Sequence, residues 1–226
     1  MTYGLGDLFG YVTFGLLGLL PIANPLSSAA VLLALTARHT VRERNRVINR
    51  NTVYVVIIML VCYYVGNAVM SAFGVSIPGL RLAGGMIVAY IGFTMLFPSQ
   101  VSETETQVDM AGDGGARELR DIAFIPLAIP VTSGPGTIAY IISAAAMAPD
   151  DMPFLYESLI VLAVVLVFAV ILWICLRGAT QIRRFLGDSG LDAFSRIMGF
   201  VMVCIGMQFI INGTYEILKD WQIVTV

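Results

Sequence analysis

The apolar positions of this chain gather into six runs, near residues 8–37, 52–73, 77–97, 121–147, 154–176 and 193–214. A helix of about twenty residues, rising ~1.5 Å per residue, crosses a hydrocarbon core of ~30 Å. The pattern predicts an all-α polytopic membrane protein with six transmembrane segments. Five polar stretches connect the runs: TARHTVRERNRVINRN, GVSIP, SQVSETETQVDMAGDGGARELRD, PDDMP and RGATQIRRFLGDSGLD. The third is acidic and nearly devoid of apolar residues, which predicts a loop over 98–120. The opening MTYGLGDLFG has no Lys or Arg, so the first run is expected to be a span and not a cleaved leader.

Composition agrees with this reading. Hydrophobic residues make up 58% of the chain and charged residues 12%, where a soluble domain is nearer half and a quarter. Cation placement then orients the chain. With six crossings, the connectors after the first, third and fifth runs share one side. They hold Arg38, Arg42, Arg44, Arg46, Arg50, Arg117, Arg120, Arg177, Arg183 and Arg184, and Arg196 enters from that side, whereas the other side has Arg81 and Lys219. This asymmetry predicts cytoplasmic odd connectors and periplasmic termini. If the first and fourth runs were re-entrant loops, four crossings would remain and the cation bias would nearly vanish.

Those two runs share an unusual motif. Residues 21–28 read PIANPLSS and residues 126–133 read PLAIPVTS, a common P-x-A-x-P-x-[ST]-S. A second pair lies in the third and sixth runs, LRLAGGMIV from Leu80 and SRIMGFVMV from Ser195, aligning Arg81 with Arg196 and Gly84 with Gly199. Two motifs in the same order predict two three-span repeats, residues 1–97 and 121–226, separated by the acidic cytoplasmic loop at 98–120. Because three is odd, the second repeat must be inverted in the membrane. Proline removes a backbone donor and clashes with the preceding turn. In lipid such breaks persist only inside protein or beside a polar cavity. Broken helices are therefore expected in the first and fourth spans.

Small and polar residues flank the expected breaks. Asn24, Pro25, Ser27 and Ser28 belong to the first copy; Pro130, Thr132, Ser133, Gly134, Pro135, Gly136 and Thr137 belong to the second. Helices restarting there would aim free N–H groups inward, an arrangement that attracts a carboxylate, while freed carbonyls suit an ammonium or Na⁺. Serine and threonine also return hydrogen bonds to preceding carbonyls, and proline is common in membrane helices, so a plain structural role competes. Arg81 and Arg196 are read either as vestibule charges or as side chains snorkelling to headgroups. Gly84, Gly85, Gly199 and Gly206 suit close helix packing, and Asn67 and Gln208 are amides able to bond between helices. Cys62, Cys175 and Cys204 are expected as free thiols.

Several chemistries find no support. No Asp or Glu lies deep in a run, Glu157 being near an edge, so no buried carboxylate relay is visible. No HExxH motif, P-loop or other cofactor or metal signature occurs, and no enzymatic activity is expected.

With NPLSSAAVLLALT, FGVSIPGLRLAGGMIVAYIGFTMLFP, PLAIPVTSGPGTI and SRIMGFVMVCIGMQFIING, the chain resembles the MarC family of bacterial inner-membrane proteins over all six runs. The resemblance implies an inner-membrane location. Some members of the family are associated with transport of small neutral amino acids such as glycine and alanine. Their first motif resembles N-P-x-G-x-x-P. Here Asn24 and Pro25 match, but Ser27 and Ala30 stand at the glycine and second proline; the second motif keeps Gly134-Pro135-Gly136, with Ser133 in place of a small alanine. The leading expectation is a secondary transporter of a small solute working by alternating access around the paired breaks. A non-transporting scaffold, a lipid- or partner-binding protein, and drug efflux are the alternatives. The partners expected are a small solute, membrane lipid and, as an open option, further copies of the chain, with no nucleic acid.

Overall fold

The computed structural model describes residues 5–97, 122–149 and 151–222, and every regular element among them is helical. The acidic stretch at 98–120 lies outside the described residues. Among the described residues eight helices follow in order: α1 Leu5–Ala23, α2 Pro25–Leu35, α3 Val41–Ala72, α4 Ile77–Leu96, α5 Ala123–Thr132, α6 Pro135–Ala146, α7 Phe154–Arg177 and α8 Ala179–Asp220.

Five stretches among the described residues are long and apolar enough to cross a membrane: Gly6–Leu35, Val41–Ala72, Ile77–Leu96, Phe154–Arg177 and Ser189–Asp220. The fourth apolar run forms no such continuous helix. It is divided between α5, which has π-type hydrogen bonding, and the 12-residue α6. Large apolar side chains such as Phe14, Tyr90 and Phe200 face outward on the long helices, as expected where the surrounding solvent is hydrocarbon.

Local chemistry explains the boundaries. The Asn24 backbone adopts φ 33, ψ 79, and α2 restarts at Pro25 with the Asn24 side chain accepting from the Ser27 N–H. A residue preceding proline is disfavoured in the right-handed helical region, asparagine tolerates the left-handed one, and proline suits the first position of a helix. At the start of α3, Thr40 and Glu43 form a reciprocal capping box. It carries the helix through the arginine-rich stretch from Val41, which the hydrophobic pattern alone assigns to a connector. The fifth connector is also helical. It forms the start of α8, bent at Gly187 (φ 66, ψ 175), so that residues 179–186 make a short arm ahead of the long segment. A positive φ of this kind favours glycine.

The main core joins α1, α2, α3, α5, α6 and α7 through side chains including Leu19, Leu32, Met59, Leu127, Ile141 and Phe168. The seam between α4 and α8 is built differently. A Cβ added at Gly92 would lie 2.6 Å from the Gly199 carbonyl oxygen, and one at Gly85 the same distance from the Gly206 carbonyl oxygen. Contacts run from Gly92–Gly199 to Gly85–Gly206 and on to Pro78–Gly213, so the two helices are antiparallel and their backbones touch. Small residues permit such approach in a membrane, where helix association depends on packing and not on expulsion of water. Gly84, by contrast, accommodates Ala139 of α6.

An ion pair closes one end of the seam. Arg81 of α4 is buried and donates to Glu216 of α8, with its second guanidinium nitrogen 3.5 Å from the Ser143 carbonyl of α6. Arg196 is exposed and pairs with Asp192 one turn earlier in its own helix. The two arginines that align in sequence therefore have different surroundings. Of the two candidate interhelical amides, Gln208 bonds Asn212 within α8 and the Asn67 Oδ1 has no partner. The three cysteines are free, and Cys204 is exposed.

Two predictions follow from this seam. Gly206→Leu is expected to destabilise the protein by about 1–3 kcal/mol through overpacking against backbone, whereas Gly10→Leu, with open space around it, leaves the melting temperature unchanged; thermal unfolding in detergent compares them. Glu216→Ala strands a buried guanidinium. Breaking a fully buried pair costs ~3–5 kcal/mol, and with Glu216 37% exposed the expected loss is about 1–3 kcal/mol. The double change Arg81→Met/Glu216→Leu should recover much of it in the same assay.

Candidate functional site

The two proline motifs meet inside the protein. Ser28 Oγ of α2 lies 3.0 Å from Thr132 Oγ1 at the end of α5, although the residues are 104 apart in sequence. Both side chains are fully buried. Ser28 Oγ also lies 3.3 Å from the Asn24 carbonyl, and Thr132 donates to the Leu127 carbonyl at 3.0 Å. Two hydroxyl protons thus serve two carbonyl acceptors and the contact between the hydroxyls. If Ser28 donates to Thr132, the Asn24 carbonyl loses this partner; if Thr132 donates to Ser28, the Leu127 carbonyl does. The breaks share one small hydrogen-bond network with two arrangements.

The copies differ in how their helices are interrupted. In the first, a single residue, Asn24, leaves the helical region. In the second, Ile125 and Ile129 are both extended (φ near −125, ψ near 124), each immediately before a proline, and the Ile125–Pro126 peptide is cis. The difference follows from residue type. Asparagine accepts the left-handed conformation, while a β-branched isoleucine before proline is driven to the extended region.

Beyond the second interruption the chain is tied by side chains and backbone. The Ser133 N–H donates to the Ala128 carbonyl at 2.8 Å, and Thr137 Oγ1 donates to the Thr132 carbonyl at 3.2 Å. Gly134 is extended and precedes α6 with no side-chain cap. The first main-chain bond there runs from the Ile138 N–H to the Gly134 carbonyl. Gly136 is buried, and a Cβ there would sit 2.6 Å from Val88 of α4 and 3.4 Å from Ile22 of α1. Its smallness is used for packing. Pro135 is exposed and Pro25 is buried. Pro130 is the second of the two α5 prolines that interrupt regular helix geometry.

Two polar groups at the breaks have no partner among the described residues, Asn24 Nδ2 and the Ser133 hydroxyl, and both belong to buried residues. Buried polar groups are ordinarily hydrogen-bonded. Both are donors, and the uncapped start of α6 adds N–H groups, so the free capacity at the breaks suits an acceptor such as a carboxylate. Arg81 is not part of this cluster. Its contact with Ser143 is eight residues along α6 from Pro135, about 12 Å at the usual rise, and Glu216 answers its charge. Arg196 is remote as well, exposed on α8.

Other residues support the region without standing out in sequence. Tyr140 of α6 donates to the Gly15 carbonyl of α1 at 3.2 Å and stacks on Phe209 of α8, with ring centroids 5.9 Å apart. It holds three helices around the start of α6. Asn51, on the buried stripe of α3 with Val47, Ile48 and Val55, is fully buried and neither side-chain polar atom is paired among the described residues. Its only sequence signal is an amide in register with that stripe. Tyr63, from the aromatic pair in α3, donates to Glu157 of α7 at 2.7 Å and so ties two helices together. Among the described residues, no cluster of His, Cys, Asp or Glu has the makings of a metal site.

The chain is similar to known proteins over nearly its full length. The model of the MarC family, described as integral membrane proteins, matches residues 9–218. Inner membrane protein MarC of Salmonella typhimurium strain LT2 is 49% identical over 223 residues, covering 96% of this chain and 99% of the relative. The protein of the same name from Salmonella typhi has the same identity and coverage, and that of Escherichia coli strain SMS-3-5 is 48% identical over the same lengths. No solved structure matches the chain. With a family match across nearly all of its length, this multi-pass inner-membrane protein belongs to the MarC family.

Proposed function

We propose that this protein is a secondary transporter, and not an enzyme, that moves a small solute by alternating access around the paired helix interruptions. The observation carrying the proposal is the Ser28–Thr132 contact, which joins two copies of one proline motif at 3.0 Å in the buried interior. Discontinuous helices facing each other across a pseudo-two-fold are the recurrent setting for solute sites in such carriers. The reading includes six crossings, with α5 and α6 together making the fourth, two inverted three-span repeats over 1–97 and 121–226, and both termini in the periplasm.

The solute class follows from the groups at the breaks. Asn24 Nδ2, the Ser133 hydroxyl and the N-terminus of α6 would hold a carboxylate, and carbonyls released where Asn24, Ile125 and Ile129 leave helical geometry would hold an ammonium. Pro25 and Pro130 keep the interruptions open, Ser27, Ser28, Thr132 and Thr137 line them, and Gly134, Pro135 and Gly136 set the start of α6. A small neutral amino acid matches both ends of this chemistry, and neither motif offers an aromatic side chain to receive a bulky drug. None of the residues at the interruptions is ionisable, so the solute's own charges would meet dipoles and not fixed charges.

The test is thermal unfolding of the purified full chain with glycine, alanine or serine, each with and without Na⁺. A ligand that binds only the folded state raises the melting temperature with concentration, by ~2.7 kcal/mol of stability at one hundred times its Kd. The expected result is a dose-dependent rise with at least one of the three, weakened tenfold or more in apparent affinity by Ser133→Ala. Uptake of that amino acid into proteoliposomes should fall in parallel. Failure of all three to shift the protein would overturn the amino-acid assignment.

A further inference from the structure

A groove on the outside of α2 has the chemistry of a phospholipid. Its inner part, a cavity of about 210 Å³, is walled by Leu26, Ala29, Ala30 and Leu33 of α2 and by Ile182 and Leu191 of α8. Its outer part, about 510 Å³, is open and bordered by Arg44 of α3 and by Thr180, Arg183 and Arg184 on the α8 arm. Leu33 and Arg183 border both parts, so an apolar slot leads into a mouth with three guanidinium groups.

The arm places this mouth at a membrane surface. Residues 179–186 carry Arg183, Arg184 and a Phe185 that is 90% exposed, while Ile182 turns inward beside α2. A short helix with cations on one side and apolar residues on the other lies in an interface. The end of α7 just before it has the matching anchors: Trp173 Nε1 donates to Asn49 at 2.9 Å, and Arg177 lies over the indole ring. Tryptophan and arginine concentrate at that depth. Gly187 bends α8 after the arm, whose arginines border the same mouth as Arg44 of α3.

We infer that this groove binds an anionic phospholipid, with the headgroup phosphate held by Arg44 and Arg184 and an acyl chain lying in the slot beside α2. A free anion would use the mouth alone; the apolar slot continuous with it selects the lipid. Arginine favours phosphate through paired N–H donors, and basic pockets between membrane helices select anionic headgroups. The slot begins at Leu26, two residues from Asn24, and runs along the helix that carries Ser28 to the breaks. A seated chain therefore braces α2, and this inference does not depend on what the protein carries.

The experiment uses the full chain, delipidated in detergent, titrated with phosphatidylglycerol, with phosphatidylcholine of the same acyl chains, or with inorganic phosphate, reading bound lipid by native mass spectrometry and melting temperature in parallel. The expected result is binding of phosphatidylglycerol at least tenfold tighter than of phosphatidylcholine, with no stabilisation by phosphate alone. Arg44→Gln/Arg184→Gln should remove that preference while keeping the lipid-free melting temperature. Should the double variant fold poorly, Ala30→Phe, which fills the slot from the α2 side, is expected to weaken phosphatidylglycerol binding with the arginines intact. Equal binding of the two lipids, or an unchanged preference in the variants, would overturn the inference. Stabilisation by phosphate matching that by phosphatidylglycerol would overturn it in favour of a soluble anion site.

Discussion

Everything in this molecule depends on where the backbone polar groups go when a helix is interrupted inside a membrane. Hydrocarbon offers them no partner, so an interruption must be answered by the protein itself. Two interruptions are answered largely by one another. Ser28 and Thr132 meet, each within reach of a carbonyl in its own segment, while Asn24 caps the helix that restarts after it. Among the described residues, the side chains of Asn24 and Ser133 keep one amide nitrogen and one hydroxyl without a partner, and the start of α6 has no side-chain cap.

The remaining helices divide into a closely packed pair and a part arranged around the breaks. Between α4 and α8 the backbones touch through Gly85, Gly92, Gly199 and Gly206, and the Arg81–Glu216 pair fastens one end. Contacts made by backbone atoms have no rotamers to change, so this seam has little freedom to repack. The segments carrying the interruptions are short by comparison, α2, α5 and α6 each having 12 residues or fewer. They are held at their sides by Tyr140 and by Gly136 packed on Val88. The α8 arm, bent at Gly187, lies against α2 and so touches one of these short segments from the membrane surface.

The class of fold was legible in sequence, as was the departure from helical geometry before Pro25 and Pro130, because both rest on local rules. Long apolar runs have few other uses, and proline acts on the residue before it wherever it stands. The two motifs could be matched letter for letter, yet they fold differently. The residue before the second proline is Asn24 in one copy and Ile129 in the other, and only asparagine accepts a left-handed turn. Connectors were less legible: an arginine-rich stretch reads as loop unless the Thr40–Glu43 capping box is given weight, and RGATQIRRFLGDSGLD hides the inward-facing Ile182. Long-range pairings were not legible at all. Nothing near Arg81 announces Glu216, 135 residues away, and its alignment with Arg196 suggests a likeness of surroundings that the fold does not keep. Asn51 looks ordinary in sequence and becomes conspicuous only when its burial is known.

The most direct measurement is thiol accessibility at the meeting point of the two breaks. Cys62, Cys175 and Cys204 would be replaced by alanine and Thr132→Cys introduced, then the protein labelled in oriented membrane vesicles with a small membrane-impermeant thiol reagent applied from one side or the other. Alternating access predicts labelling of residue 132 from both sides, slowed by the transported solute. Labelling from neither side, under conditions where a cysteine placed at exposed Phe185 reacts from its own side, would contradict the account and make the paired breaks a closed structural joint.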